Sequence, residues 1–264
     1  TEAFPQYNVM DEILKQMTDP ETRYNGFSIS VNIASKDYKT IFSICAKLGL
    51  NVKVAGYSVK STKKEIEQAN YFRMIIGNMG AEDYSESYDT KYEPVFTCEK
   101  CGRSIYRQVS PLVINKNLMK GKDIGVTTNN EIVVSEQLKN AIEKDKLTGV
   151  HFASVNHYQN TKREFPKYYQ MYVDSIMPEI DSSTMFRYDI PAYCDKCKGH
   201  GNIPVSAIRY AKNNLNKIGD FNWTKERMGA ELSGSPYLIV SKKTYDLWKT
   251  SKIKRCKFEV VLEI

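Results

Sequence analysis

Histidine, tryptophan and cysteine are scarce in this chain. Its 264 residues include 3 histidines, 2 tryptophans and 6 cysteines. His151, His157 and His200 belong to no paired motif, so neither a histidine-built catalytic metal site nor a nucleophile–histidine couple is legible. A phosphate loop, a dinucleotide fingerprint and a nucleophile elbow are also missing. The carboxylates are scattered along helical segments, where solvation is the default. Nothing here calls for an enzyme, and no catalytic residue is expected. No apolar run approaches the roughly 18 residues of a membrane span. No signal peptide is legible at Thr1, although the chain begins without Met, which leaves an earlier leader open. The expectation is a protein of the reducing cytoplasm.

What is present fits an ordinary globule. Hydrophobic residues make up 41% and charged residues 26%. A chain of this length buries about 70–75% of its unfolded surface, so a proper core is available. The formal net charge of +7 reads first as a lysine-rich, solvated surface and second as a footprint for a polyanion.

The six cysteines are not scattered. Four form two Cys-x-x-Cys pairs, Cys98-Glu99-Lys100-Cys101 followed by Gly102, and Cys194-Asp195-Lys196-Cys197. Two intervening residues let a tight turn aim both sulfurs at one point. Two such turns supply the complete tetrahedral shell of a structural zinc site. Residues 102–193 separate the pairs, too many for a compact finger, so one shared ion would staple distant parts of a larger fold. Two independent pairs, redox dithiols and disulfides are the alternatives. A redox pair normally opens a helix after an apolar strand, whereas Phe96-Thr97 and Ser104-Ile105-Tyr106 here read as strand, turn, strand. Lys100, Arg103, Lys196 and Lys198 are placed to offset the charge of four thiolates on a divalent cation. Four sulfurs leave no open position, so the expected zinc is structural. His200 is a substitute ligand of lower rank. Cys45 and Cys256 lie in apolar periodic segments and read as buried free thiols.

Two stretches match each other without a gap. Ile132-Val133-Val134-Ser135 corresponds to Leu238-Ile239-Val240-Ser241, Ala141-Ile142 to Leu247-Trp248, and Val150-His151-Phe152 to Cys256-Lys257-Phe258. Each reads as strand, helix, strand, with the serine capping the helix. Each also follows a cysteine pair. The expected fold class is α+β, a duplicated zinc-knuckle plus β-α-β module joined by the four-cysteine site. The expected organisation is an N-terminal α/β region at 1–92, a first repeat at 93–180 and a second at 181–264. Val134 with Phe152, and Val240 with Phe258, are expected at equivalent buried places. Elsewhere the patterns predict helices over 11–17, from Ser35 to Lys47 and after the Thr62-x-x-Glu65 capping box, and a short one over 206–214. Strands are expected over 27–33, 51–59 and 71–76, and residues 222–234 read as a loop with a helical turn.

The two cysteine pairs, each followed by an apolar-apolar-Val-Ser strand and a helix, and the phrase Leu147-Thr148-Gly149-Val150-His151-Phe152 resemble the bacterial double-CxxCG motif proteins. The resemblance covers roughly residues 90–264. In the second pair Lys198 takes the glycine place and Gly199 comes one later. That group includes immunity proteins of contact-dependent and polymorphic toxin systems. The resemblance implies a zinc-stabilised protein-binding protein that neutralises a cognate toxin. The alternative is a zinc-ribbon nucleic-acid binder. The 18 tyrosines, among them Tyr84, Tyr88, Tyr92 and Tyr158, suit protein interfaces and can also stack bases.

Overall fold

The computed structural model describes residues 15–18, 23–24, 29–30, 36–47, 60–80, 88–159, 166–188, 194, 196, 202–216, 218–228 and 234–264. Most of the helix expected over 11–17, most of the strand over 27–33 and the whole of the segment 51–59 lie outside these residues. The chain divides into two compact units, Thr1–Tyr57 and Ser58–Ile264.

In the first unit β1 (Arg23–Tyr24) and β2 (Ile29–Ser30) pair antiparallel. Helix α1 (Lys36–Lys47) follows. Its helical period buries Ile41 and Cys45, with Met17, Ile29 and Ile44 packed against them. Asp37, in the first turn, is buried and accepts from Thr18 N at 3.0 and 3.1 Å and from Thr18 Oγ1 at 3.2 Å. A carboxylate is favoured at that end of a helix, where the dipole is positive.

The second unit opens with α2 (Lys63–Gln68), capped as its sequence predicts. Thr62 Oγ1 accepts from Glu65 N at 3.2 Å, and Glu65 Oε2 accepts from Thr62 N at 2.7 Å. Next come β3 (Tyr71–Ile76), the hairpin of β4 (Tyr92–Thr97) and β5 (Ser104–Gln108), and β6 (Val113–Ile114). Then follow β7 (Ile124–Val126), β8 (Ile132–Ser135), α3 (Glu136–Lys144), β9 (Val150–Ser154) and β10 (Asn156–His157). The chain continues through β11 (Tyr168–Val173), β12 (Ser175–Ile176) and the hairpin of β13 (Phe186–Tyr188) and β14 (Asn202–Pro204). It ends with β15 (Arg209–Tyr210), β16 (Phe221–Trp223), β17 (Leu238–Ser241), α4 (Lys242–Thr250) and β18 (Cys256–Glu263). The architecture is mixed α+β, with many strands and few helices.

Two larger sheets carry the unit, one in the order β7-β8-β11-β9 and one in the order β12-β16-β17-β3-β18-β15. Each contains a split β-α-β element, in which an antiparallel strand lies between the two strands that the helix joins. β11 pairs with β8 from Tyr168↔Ser135 to Met171↔Ile132 and with β9 at Met171↔Phe152. β3 pairs with β17 from Tyr71↔Ser241 to Met74↔Leu238 and with β18 at Met74↔Phe258. The two registers are the same. Val134 and Val240 are both fully buried, and Phe152 and Phe258 are both half-buried against the same core. That core is continuous. Val134 and Met171 of one sheet with Ile142 of α3 share it with Val240 and Phe72 of the other sheet and Trp248 of α4.

The helix starts also agree. Ser135 (φ −70, ψ 158) accepts from Leu138 N at 3.2 Å, and Ser241 (φ −71, ψ 163) accepts from Thr244 N at 3.3 Å. Each hydroxyl donates in turn to an aspartate on the neighbouring strand's approach, Asp123 at 3.2 Å and Asp220 at 2.6 Å. Ser135→Ala and Ser241→Ala should each lower stability by about 1 kcal/mol, the usual cost of a lost N-cap. Urea unfolding of the two single variants checks this, and a change within ±0.3 kcal/mol, within the scatter of neutral surface changes, would refute it.

Two segments differ from expectation. The short helix expected over 206–214 is the strand β15 followed by a 3₁₀ turn at Lys212–Asn214. Ile208 and Tyr210 are buried around half-buried Arg209, a period of two, and Arg209–Tyr210 pairs parallel with Leu262–Glu263. The start of the loop expected over 222–234 belongs to β16. Asn222 hid that strand. It is wholly buried, with its amide satisfied by Gly219, donating to O at 2.7 Å and accepting from N at 2.9 Å.

Candidate metal centre

The first cysteine pair sits at the tip of the β4–β5 hairpin. Its register runs from Tyr92↔Gln108 to Thr97↔Ser104, with a bulge between Pro94 and Phe96 that accommodates the proline. Beyond Thr97 the chain reverses within Cys98-Glu99-Lys100-Cys101-Gly102. Cys98 N donates to Arg103 O at 2.8 Å, and Gly102 N donates to Cys98 O at 2.7 Å. Gly102 has φ +68, which is why a glycine closes this turn. The second pair lies between β13 and β14, which pair antiparallel from Phe186↔Pro204 to Tyr188↔Asn202. Both pairs therefore occupy connections between paired strands, as the strand-turn-strand reading predicts for the first.

Cys98, Cys101 and Cys194 come together, all three sulfurs lying within 4.8 Å of one another. Cys98 Sγ is 3.7 Å from Cys194 Sγ. A disulfide would bring them to about 2.0 Å. Tetrahedral zinc with sulfurs at about 2.3 Å would hold them about 3.8 Å apart, so the spacing fits metal thiolates. Cys98 and Cys194 are 2% and 3% exposed, and Cys101 is half-buried, so the cluster is largely shielded from water. Cys197 lies outside the described residues, as does His200.

The electrostatics favour thiolate at Cys98. The backbone N–H of Cys101 points at its sulfur and is the largest influence. Burial opposes it, and the N–H of Lys100 and the thiols of Cys101 and Cys194 add to it, bringing the thiol from 9.0 to about 6. A metal ligand must be deprotonated, so this backbone prepares the sulfur for a cation.

The surrounding cations divide by role. Lys196 does not face the sulfurs alone, because it forms an ion pair with Glu99 and so joins the second turn to the first. Arg103 closes the first turn through its carbonyl. Lys198 lies outside the described residues. The other thiols behave differently. Cys45 is buried and its thiol is raised by desolvation. Cys256 is half-buried, and burial lifts its thiol to about 11 against weaker opposing effects of Trp248 and Arg255. Neither belongs to the cluster.

No other group of three histidine, cysteine or acidic side chains is arranged to hold a metal among the described residues. His151 Nδ1 is 2.7 Å from Asp174 Oδ2 and the ring stacks on Tyr172, centroids 4.8 Å apart. His157 Nδ1 accepts from Lys116 N at 3.2 Å. No described helix is long and apolar enough to cross a membrane.

Sequence reasoning missed one feature of this hairpin. Val95, Phe96 and Tyr106 are 53%, 43% and 60% exposed, an apolar surface on the ribbon that carries the first cysteine pair. The strand-turn-strand reading leaves open which side chains are covered, and among the described residues these three stay exposed. No protein-family model matches the chain, and no curated protein matches it.

Proposed function

We propose that this protein is a non-enzymatic binding protein, held together by a structural zinc ion on Cys98, Cys101, Cys194 and Cys197, that neutralises a cognate bacterial toxin by binding it. The metal reading is supported by three sulfurs at zinc-thiolate spacing, two of them nearly inaccessible. Zinc would link two hairpins that are distant in sequence and contribute folding energy, with no open position for chemistry.

The observation that carries the binding reading is the exposed apolar ribbon of Val95, Phe96 and Tyr106. Aromatic side chains that retain large exposed area on a stiff ribbon suit a protein interface. Tyr158, half-buried and 4.7 Å from the Tyr88 ring, can contribute to a contact only in part. Tyr84, the acidic residues Glu82, Asp83 and Glu86, and the basic Lys162 and Arg163 lie outside the described residues. The kind of partner comes from the resemblance to double-CxxCG proteins, which include toxin immunity proteins. The net charge of +7 is what favours the second reading, a zinc-ribbon nucleic-acid binder.

The purified protein should bind the product of an adjacent gene, and Tyr106→Ala should weaken that binding by about 1 kcal/mol or more, the scale of an interface hot spot. Calorimetric titration at two salt concentrations measures it. Binding to unrelated duplexes that falls steeply with salt, together with no affinity for the neighbouring product, would replace the first reading with the second.

A further inference from the structure

The succession β3, cysteine hairpin, β6, β7, β8, α3, β9 recurs as β11, cysteine hairpin, β15, β16, β17, α4, β18. The agreement reaches single hydrogen bonds. Val113 N donates to Thr90 Oγ1 at 3.0 Å, and Arg209 N donates to Thr184 Oγ1 at 2.9 Å. Lys91 N donates to Ser110 Oγ at 2.8 Å, and Met185 N donates to Ser206 Oγ at 3.0 Å. Tyr158 N donates to Ile114 O at 3.1 Å, and Ile264 N donates to Tyr210 O at 3.0 Å. Side-chain bonds of this kind around both hairpins are not a by-product of a common strand-helix-strand pattern. The outer faces of the sheets agree as well, with Met79, Leu112, Ile114 and Val133 in one satellite core where Met177, Ile208, Tyr210 and Ile239 stand in the other.

One strand in each half departs from a closed arrangement. β3 precedes the first hairpin but lies between β17 and β18, and β11 precedes the second hairpin but lies between β8 and β9. We propose that the two halves are copies of one unit that have exchanged their first strands, so that the chain is a covalently linked, strand-swapped pair. The partner that fits the central slot of each sheet is the leading strand of the other copy. Without a central strand, β8 and β9, or β17 and β18, would each keep an open edge, and the exchanged strand satisfies both. The halves also cross closely. Gly149 has φ +84, and a Cβ there would meet Phe221 O at 2.3 Å. Thr148 N and Oγ1 donate to Asp220 Oδ2 at 2.9 and 3.0 Å. These pairings involve neither the metal nor the partner protein.

The test uses the full chain with paired cysteines introduced across β3. Arg73 stands opposite Glu259 in the observed register, whereas in an unexchanged arrangement it would stand opposite Ala153, which faces Gln170 in β11. Mild oxidation of the Arg73→Cys, Glu259→Cys variant should link most of the protein, located by peptide mapping. The Arg73→Cys, Ala153→Cys variant should not link. In parallel, a site-specific protease sequence inserted between residues 160 and 165 of the otherwise unmodified chain should give two fragments that co-elute as one species until denaturant is added. Absence of the first link, formation of the second, or separation of the cut fragments without denaturant overturns the exchange.

Discussion

Cys98→Ser should abolish metal binding and lower the unfolding free energy by several kcal/mol. Reduced wild-type protein should carry close to one zinc per chain by elemental analysis, and the variant close to none. The expected loss is large because a structural metal supplies folding energy directly, and a domain has only about 5–15 kcal/mol to lose. Cys98 is one of the three clustered sulfurs. It is 3.7 Å from Cys194 Sγ, is almost wholly buried, and is the sulfur that the backbone N–H of Cys101 holds towards thiolate. Serine keeps the turn bonds of Cys98 N and O to Arg103 and Gly102, since those are backbone bonds. The variant therefore removes the ligand while retaining the turn. A wild-type protein free of metal, with a melting curve that a strong chelator leaves unchanged, would refute the metal reading outright.

Phe72→Ala should cost about 3–5 kcal/mol, the range for truncating a fully buried aromatic side chain. Phe72 is 1% exposed and is the second residue of β3. Its ring stacks on Tyr245 with centroids 4.3 Å apart at 13° and meets Phe258 edge-on at 6.3 Å and 89°. The truncation removes packing from α4 and β18 at once, because Tyr245 lies in α4 and Phe258 in β18. Denaturant unfolding with an unchanged slope would show the loss to be one of stability. A loss below about 1 kcal/mol, well under the large-to-small range, would mean that β3 does not occupy the centre of that sheet in solution.

Much of the local structure is legible in the chain. The spacing of Cys98 and Cys101 with Gly102 behind them specifies a turn on a hairpin, and the backbone adopts it. Thr62 with Glu65, and Ser135 and Ser241 after their apolar runs, specify helix starts, and each cap bond forms. These features depend on residues a few positions apart, and their energetics are satisfied within that span. β15 and β16 were hidden for the opposite reason. Both are very short, and the buried Asn222 is tolerated only because Gly219 satisfies its amide. No propensity carries that information.

By itself, then, the sequence determined which residues turn, which cap, which alternate towards a core, and which four sulfurs are candidates for one ion. The tertiary structure decided where the strands go. Tyr71–Ile76 is equally apolar and β-prone whichever partners it takes, and its side-chain period says nothing about which edges it completes. Its place between β17 and β18, and the place of β11 between β8 and β9, follow from burial summed over two sheets that share one core. The convergence of Cys98 and Cys101 with Cys194 and the exposure of Val95, Phe96 and Tyr106 are likewise outcomes of which surfaces the folded chain covers. Backbone pairing is nearly the same for every strand, so the choice among partners falls to long-range packing, which a local pattern cannot encode.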